Sequence, residues 1–442
     1  MAAFYTIIAR QEMGLYRNLP PPPFSIKNKP CSQWRHNQLD NIKAEESRPT
    51  LPHIPALEGL KAIALMLIVL RHAAYGFYIL NNFQTKSVND QFFILGGINF
   101  YPSFINGWVG IDLFFVMCGF LIARTWLNDP KQSYKAYLIR RARRLIPLYY
   151  TALVLCYIGI PYYYLPEPRS LFSFLYHLVF LEDIFIPGIN VALGSLAAEA
   201  KFYILLPLLL AGCMAEKRVG IALISAAAFF YVIGFGMRLY GFSHFETSSD
   251  LVHNYYMFFL YSRLAFIYAL EPIILGVAIA WIERAVRARS AGPRLAALTS
   301  PKMARIFFRA GLAALLLWLV SAEHLRIITW YDAAFQPVLT SLIMASIVHG
   351  AVFGGAPEWF GKGIGNHIAR ISYPVYLFHI PVIPITFLYT RLFLAAKFPG
   401  ISLTAEFLIF TAAYLFMTWL VSELLHSAIE KKFYPERTQG YR

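Results

Sequence analysis

Residues 56–80, ALEGLKAIALMLIVLRHAAYGFYIL, are long and apolar enough to cross a bilayer, yet they hold Lys61, Arg71 and His72. A spanning helix needs about 20 mostly apolar residues. An ionisable group inside one is costly, and by default it marks a functional position. Lys61 and His72 stand eleven positions apart. That is about three turns at 3.6 residues per turn, so both side chains leave nearly the same face. At 1.5 Å per residue they lie about 16 Å apart along the helix axis. One face thus carries a cation near one membrane surface and a proton-transfer group deep in the apolar layer. A plainer account, a snorkelling lysine and a histidine bonded to a neighbouring helix, fits the same spacing.

The whole chain shares this character. Of 442 residues, 58% are hydrophobic and only 14% are charged, against about 25% charged in a soluble domain. Apolar runs near spanning length recur, so the expected fold is an all-α polytopic membrane protein. The net charge of +15 does not point to nucleic acid, because the positive residues gather in short loops between spans, as the positive-inside rule requires. Three of the four cysteines, Cys118, Cys156 and Cys213, fall in apolar spans. No metal-ligand spacing appears, so no metal is expected. Residues 1–50 include the proline-rich NLPPPPFSIKNKP and read as a disordered cytosolic tail without a signal peptide. Residues 51–426 read as the membrane domain, and 427–442 as a short basic cytosolic tail.

About ten spans are expected, near 56–80, 107–127, 145–166, 194–214, 219–240, 264–283, 306–322, 333–353, 371–394 and 403–425. With a cytosolic N-terminus, KAYLIRRARR, EKR, RAVRARSAGPR, GKGIGNHIAR and EKKFYPER all fall on the cytosolic side. The opposite loops are poorer in Lys and Arg, so both termini are expected inside. The stretch SLFSFLYHLVFLEDIFI, residues 170–186, is apolar but short and holds Glu182 and Asp183. It is expected to be re-entrant or interfacial, lining protein rather than lipid.

Several polar groups could carry chemistry. Asp112 lies about 7 Å inside the outer end of the second span by helix rise. It could pair with His72 and fix its tautomer, as carboxylates do for catalytic histidines; a structural role at a helix end is the alternative. Arg140, Arg141, Arg143 and Arg144 crowd the start of the third span. They suit multidentate phosphate recognition, or serve as a positive-inside anchor. Glu199 and Lys201, two residues apart in the fourth span, point to different faces and do not form a simple helix pair. Glu199 is expected to join Asp112 and His72 in an outer-half cluster. His379 sits mid-way along the ninth span among prolines, where broken backbone bonding usually lines a cavity. His349 is expected to be a packed polar residue.

Five segments in order resemble the acyltransferase 3 family of integral membrane acyltransferases: LEGLKAIALMLIVLRHA, GWVGIDLFFVMCGFLI, RRARRLIPLYY, SLAAEAKFYILLP and ISYPVYLFHIP. They cover roughly residues 54–425. The first matches the family's basic residue, ten intervening residues and His as Lys61 and His72. Three departures are a Lys in place of the commoner Arg, Cys118 where Ser is usual, and Leu193 where Trp is usual. The resemblance implies transfer of an acyl group, acetyl in the first place, from cytosolic acyl-CoA to a hydroxyl of a sugar in a surface polysaccharide or glycolipid. It implies a multi-pass protein of the bacterial inner membrane in stand-alone form. His72 would be catalytic, as general base or as acyl-carrying nucleophile, with Asp112 and Glu199 beside it. Lys61, Arg140, Arg141, Arg143 and Arg144 would bind CoA, and Tyr203 and His379 would contact substrate. The expected partners are the lipid bilayer, acyl-CoA and a glycan acceptor; oligomeric state is not legible. A transporter or flippase of an amphiphilic molecule is the alternative, since it also needs charges and broken helices in the membrane. Its usual mark, two related halves, is not evident.

Overall fold

The structure, a computed structural model, describes residues 51–81, 93–129, 132–158, 171–185, 189–215, 219–245, 266–321 and 334–433. The tail expected over 1–50 lies outside the described residues, as do residues 434–442 of the basic C-terminal tail. The principal helices are α1 (Pro55–Leu80), α2 (Val109–Asn128), α3 (Tyr134–Ile158), α4 (Leu171–Leu178), α5 (Val191–Ala215) and α6 (Val219–Phe245). They are followed by α7 (Phe266–Arg287), α8 (Pro301–Ser321), α9 (Gln336–Val352), α10 (Ser372–Lys397) and α11 (Leu403–Leu425). The strand content among the described residues is a two-residue ladder, Ile94–Leu95 against Ile98–Asn99. Gly96 (φ +59°) and Gly97 (φ +83°) form its turn, because a tight hairpin needs positive φ at both central positions.

The fold is all-α, with several helices fit to cross a membrane, and the expected count of about ten is not confirmed among the described residues. Seven described helices are long and apolar enough to span, by length and composition. Helices occupy the other three places as well. At 17 residues, α9 is shorter. α3 and α7 run for 25 and 22 residues but carry charges that hydropathy penalises. Four arginines lie inside α3, which begins at Tyr134 rather than after them, and Pro147 sits in its interior. α4 has eight residues, about 12 Å of helix, too little to cross a bilayer.

Lipid-facing and protein-facing surfaces separate cleanly. α6 turns Ile224, Phe229 and Val232 outward, each 60% or more exposed, as a helix against acyl chains should. α1, α2, α5 and α10 lie inside, and α2 is the hub. A Cβ at Gly107 would stand 2.2 Å from the Leu67 carbonyl oxygen, and one at Gly110 would stand 2.4 Å from that of Ala64. The backbones of α1 and the start of α2 therefore touch. On its other side α2 meets α7 the same way. Cβ atoms at Gly119 and Gly276 would each come within 2.1 Å of a carbonyl, of Ile273 and Val116 respectively. Small residues allow such approach, and close packing is what holds helices together where lipid is as apolar as the side chains.

Gly276→Ala is expected to lower stability by about 1–3 kcal/mol, the usual cost of overpacking. Gly236→Ala on α6, where an added Cβ meets nothing within 4 Å, is the matched control. Thermal melting of both variants in detergent checks this; equal melting temperatures would contradict the hub packing.

Candidate functional site

α1 and α10 bring His72 and His379 together. Their ring centroids are 5.0 Å apart at an interplanar angle of 63°, and both rings are buried, His379 completely. Prolines shape this part of α10. Pro381 has no N–H, so the Leu377 carbonyl one turn earlier loses its helical partner. Asn190 takes it, donating from Nδ2 at 3.0 Å. The helix thereby gains a side-chain tie just where it carries His379. The His379 Nδ1 lies 2.7 Å from the Tyr376 carbonyl oxygen and 3.2 Å from that of Val375. Both neighbours only accept, so Nδ1 bears the proton and the neutral ring presents a lone pair at Nε2. That Nε2 is buried and has no hydrogen-bond partner among the described residues.

A polar seam leads from this pair to the arginines. On α10, Tyr373, Tyr376 and His379 follow at intervals of three. On α5, Ser195, Glu199 and Tyr203 follow at intervals of four. Each set forms one stripe. The two stripes face each other. Ser195 Oγ and the Tyr376 hydroxyl share a short hydrogen bond. Tyr203 donates to the Glu199 carboxylate. At the far end, the Arg141 guanidinium lies 4.9 Å from the Tyr203 ring centroid and 5.4 Å from that of Tyr137. The Tyr373 hydroxyl donates to the Leu145 carbonyl at 2.6 Å, tying α10 to α3 beside Arg144. From Tyr203 to Ser195 the seam rises about 12 Å, and from Tyr376 to His379 about 4.5 Å more. This is close to the Lys61–His72 separation on α1.

The other sequence candidates divide around this seam. Arg141 and Arg144 are half-buried on the seam side; Arg140 is half-buried, and Arg143 is exposed. Lys61 donates to both oxygens of Glu58 at 3.0 Å, so its charge has a counter-ion one turn away. Asp112 accepts a 2.6 Å bond from Thr340 on α9; Gly107 and Gly110 are the residues of this segment that lie on α1. The structure brings His72 to His379, Glu199 to Tyr203 and Asp112 to Thr340. Glu199 and Lys201 do part company, as their spacing requires. Lys201 pairs with Asp183, whose other oxygen accepts from the Phe266 N–H at 3.2 Å. Glu182 accepts from the Tyr149 hydroxyl at 2.5 Å. His349 packs between Phe307 and Phe353. Ser195, Tyr373 and Tyr376 were not singled out from the sequence, although their three- and four-residue spacing in GSLAAEAKFY and SYPVYLFH was a usable signal.

The family model described as acyltransferase domain, acyltransferase 3, matches residues 54–424, a span that contains every residue of the seam and both histidines. The chain belongs to the acyltransferase 3 family. A Staphylococcus aureus (strain COL) protein named "Putative O-acetyltransferase SACOL0978" is 24% identical over 374 residues, 78% of this chain and 53% of that protein. The Listeria monocytogenes "Peptidoglycan O-acetyltransferase OatA" is 26% identical over 179 residues, 36% of this chain and 25% of its own length. A Bacillus subtilis protein named "Putative peptidoglycan O-acetyltransferase YrhL" is 27% identical over 176 residues, 36% of this chain and 24% of its own. The chain thus spans about half the length of the Staphylococcus relative. No solved structure matches it.

Within this acyltransferase 3 chain, the Lys201–Asp183 pair pins the short α4 segment and the start of α7 to α5. The Asp183 side chain is fully buried. Lys201→Met would leave that carboxylate uncompensated, at a cost of about 3–5 kcal/mol. Lys201→Met is expected to lower the melting temperature sharply, and Lys201→Met with Asp183→Asn to recover part of the loss. A single variant that melts like the native protein would contradict the pin.

Proposed function

We propose that this chain transfers an acyl group, acetyl in the first place, from a cytosolic acyl-CoA to a hydroxyl of an extracytoplasmic cell-envelope sugar. The acceptor is a surface polysaccharide, peptidoglycan or a glycolipid. One observation carries the reading: facing polar stripes on α5 and α10 lead from the Arg141 guanidinium against Tyr203 to a pair of facing histidines. The donor has phosphates at one end, a long pantetheine arm and a thioester at the other, and the seam offers the matching order. Guanidiniums bind phosphate through charge-assisted, multidentate bonds. Positive charge marks the cytosolic side of a span, which is where acyl-CoA is found. The O-acetyltransferase names of the relatives support the acetyl group and the oxygen acceptor. The both-termini-inside arrangement in a bacterial inner membrane belongs to the same proposal.

The chemistry follows from the arrangement. His72 either takes the proton of the acceptor hydroxyl or attacks the thioester itself and carries the acyl group to the acceptor. Where His72 carries the acyl group, the Nε2 lone pair of His379 accepts the hydrogen bond of the incoming acceptor hydroxyl and takes its proton. Arg141 and Arg144 hold the donor phosphates, with Arg140 at the cluster's edge and Lys61, steadied by Glu58, contributing positive field. Glu199 holds Tyr203 against Arg141 and sets the arginine end of the seam. Asp112, tied to Thr340, holds the start of α2 against α9.

Mass spectrometry of envelope glycans from cells with and without the gene tests the reading. A gain of one acetyl group that depends on the gene and disappears with His72→Ala is the expected result. Unchanged glycans, or full acetylation with His72→Ala, would overturn it. Charge-assisted bonds to phosphate contribute roughly 1.5–3 kcal/mol each, so Arg141→Ala with Arg144→Ala is expected to raise the acetyl-CoA KM about 100-fold. Arg143→Ala, at the exposed position, is expected to change it less than threefold. Equal effects would make the cluster a topology anchor alone.

A further inference from the structure

Between the arginine end and the histidine pair the seam narrows to two hydroxyls. Ser195 and Tyr376 are both buried, at 6% and 8% exposure, and their oxygens are hydrogen-bonded to each other. The Tyr376 ring lies 5.8 Å from that of His379 and stands edge-on to Phe114 at 6.0 Å. The same residue's carbonyl fixes the His379 tautomer. Ser195 has two outlets for its proton, the Ala192 carbonyl at 3.3 Å and the Tyr376 oxygen. When Ser195 donates to Tyr376, the tyrosine's own O–H is released to a third group. A hydroxyl that accepts one hydrogen bond donates the next more strongly.

From this geometry we infer that Tyr376, primed by Ser195, is the hydrogen-bond donor to the acyl carbonyl oxygen as the thioester is attacked. The inference rests on the donor path proposed above and assigns a residue to it. The attacking atom is the His72 nitrogen, or an acceptor oxygen whose proton His72 removes. It forms a bond to the acyl carbon, and the carbonyl π pair moves onto oxygen. Tyr376 O–H stabilises that oxyanion. When the pair returns, the C–S bond breaks, and the CoA sulfur leaves as a thiolate that takes up a proton. The location suits the task. A thioester presented to His72 from the arginine side must pass Tyr376, one helical turn below His379, and the surroundings are apolar enough to make one hydrogen bond count.

The test is acetyl-CoA turnover by the purified full chain in nanodiscs, with cell-envelope extract as acceptor source. The forms compared are the native protein, Tyr376→Phe and Ser195→Ala. Removal of one oxyanion donor typically costs a factor of about 100–1000 in kcat. Tyr376→Phe is expected to lose that much kcat with its acetyl-CoA KM within threefold of native. Ser195→Ala, which removes only the priming bond, is expected to lose about tenfold. If the two hydroxyls merely tie α5 to α10, both variants break the same bond and lose activity equally, which overturns the inference. A raised KM at unchanged kcat in Tyr376→Phe overturns it too. No acetyl-CoA consumption by the native protein would instead sink the donor path itself. Melting temperatures of the variants, expected within a few degrees of native, separate a chemical loss from unfolding.

Discussion

In a bundle whose surroundings offer no hydrogen bonds, every buried polar group must be answered from within the protein. That constraint organises this molecule. Two kinds stand out among its buried polar side chains. Some are closed pairs that join one helix to another. Arg124 binds Glu283 at 3.0 Å between α2 and α7, Arg238 binds Glu271 at 2.9 Å between α6 and α7, and Lys201 binds Asp183. The second kind is the seam of α5 and α10, where each polar group answers the next and the series ends on a histidine nitrogen without a partner among the described residues. A group left open at the end of an otherwise satisfied series is where substrate can enter the network.

Helix imperfections make the seam. Pro381 removes a backbone donor, Asn190 answers the orphaned carbonyl, and the local tie holds the turn that carries His379. Glycines do the complementary work on α2, where direct backbone contact with α1 and α7 leaves no room for side chains between them. The close approach of α1 brings His72 inward. The polar stripe of α5 and α10 therefore lies beside helix faces that are tightly packed.

Much of this was legible in the sequence for physical reasons. The eleven-residue spacing of Lys61 and His72, the different faces of Glu199 and Lys201, and the placement of His379 among prolines all follow from helix geometry and backbone chemistry. The family resemblance, carried by five ordered segments, agrees with the family match over 54–424. Other features were hidden. Hydropathy cannot see that α3 continues through four arginines to Tyr134, so the cluster read as a loop-side cap, and its exposed member, Arg143, could not be told from Arg141 and Arg144. The fourth span is expected near 194–214, whereas α5 begins at Val191. Three more residues place Glu199 about 4.5 Å deeper, toward the arginines. Ser195, Tyr373 and Tyr376 escaped notice because hydroxyls in apolar helices are common, and only the facing stripe gives them meaning. The Asp112–Thr340 bond joins residues 228 positions apart, a pairing that no local pattern encodes.

The central claim is that the seam guides the donor from the arginines to the histidine pair. The most direct measurement is a cryo-EM structure of the full chain in nanodiscs with a thioether analogue of acetyl-CoA, which binds but cannot transfer. The account predicts phosphate density at Arg141 and Arg144, the pantetheine arm along Tyr203, Glu199 and Ser195, and the acyl carbonyl between Tyr376 and His72. Analogue density that enters elsewhere, or that leaves the space between Ser195 and His379 empty while the phosphates are bound, would contradict it.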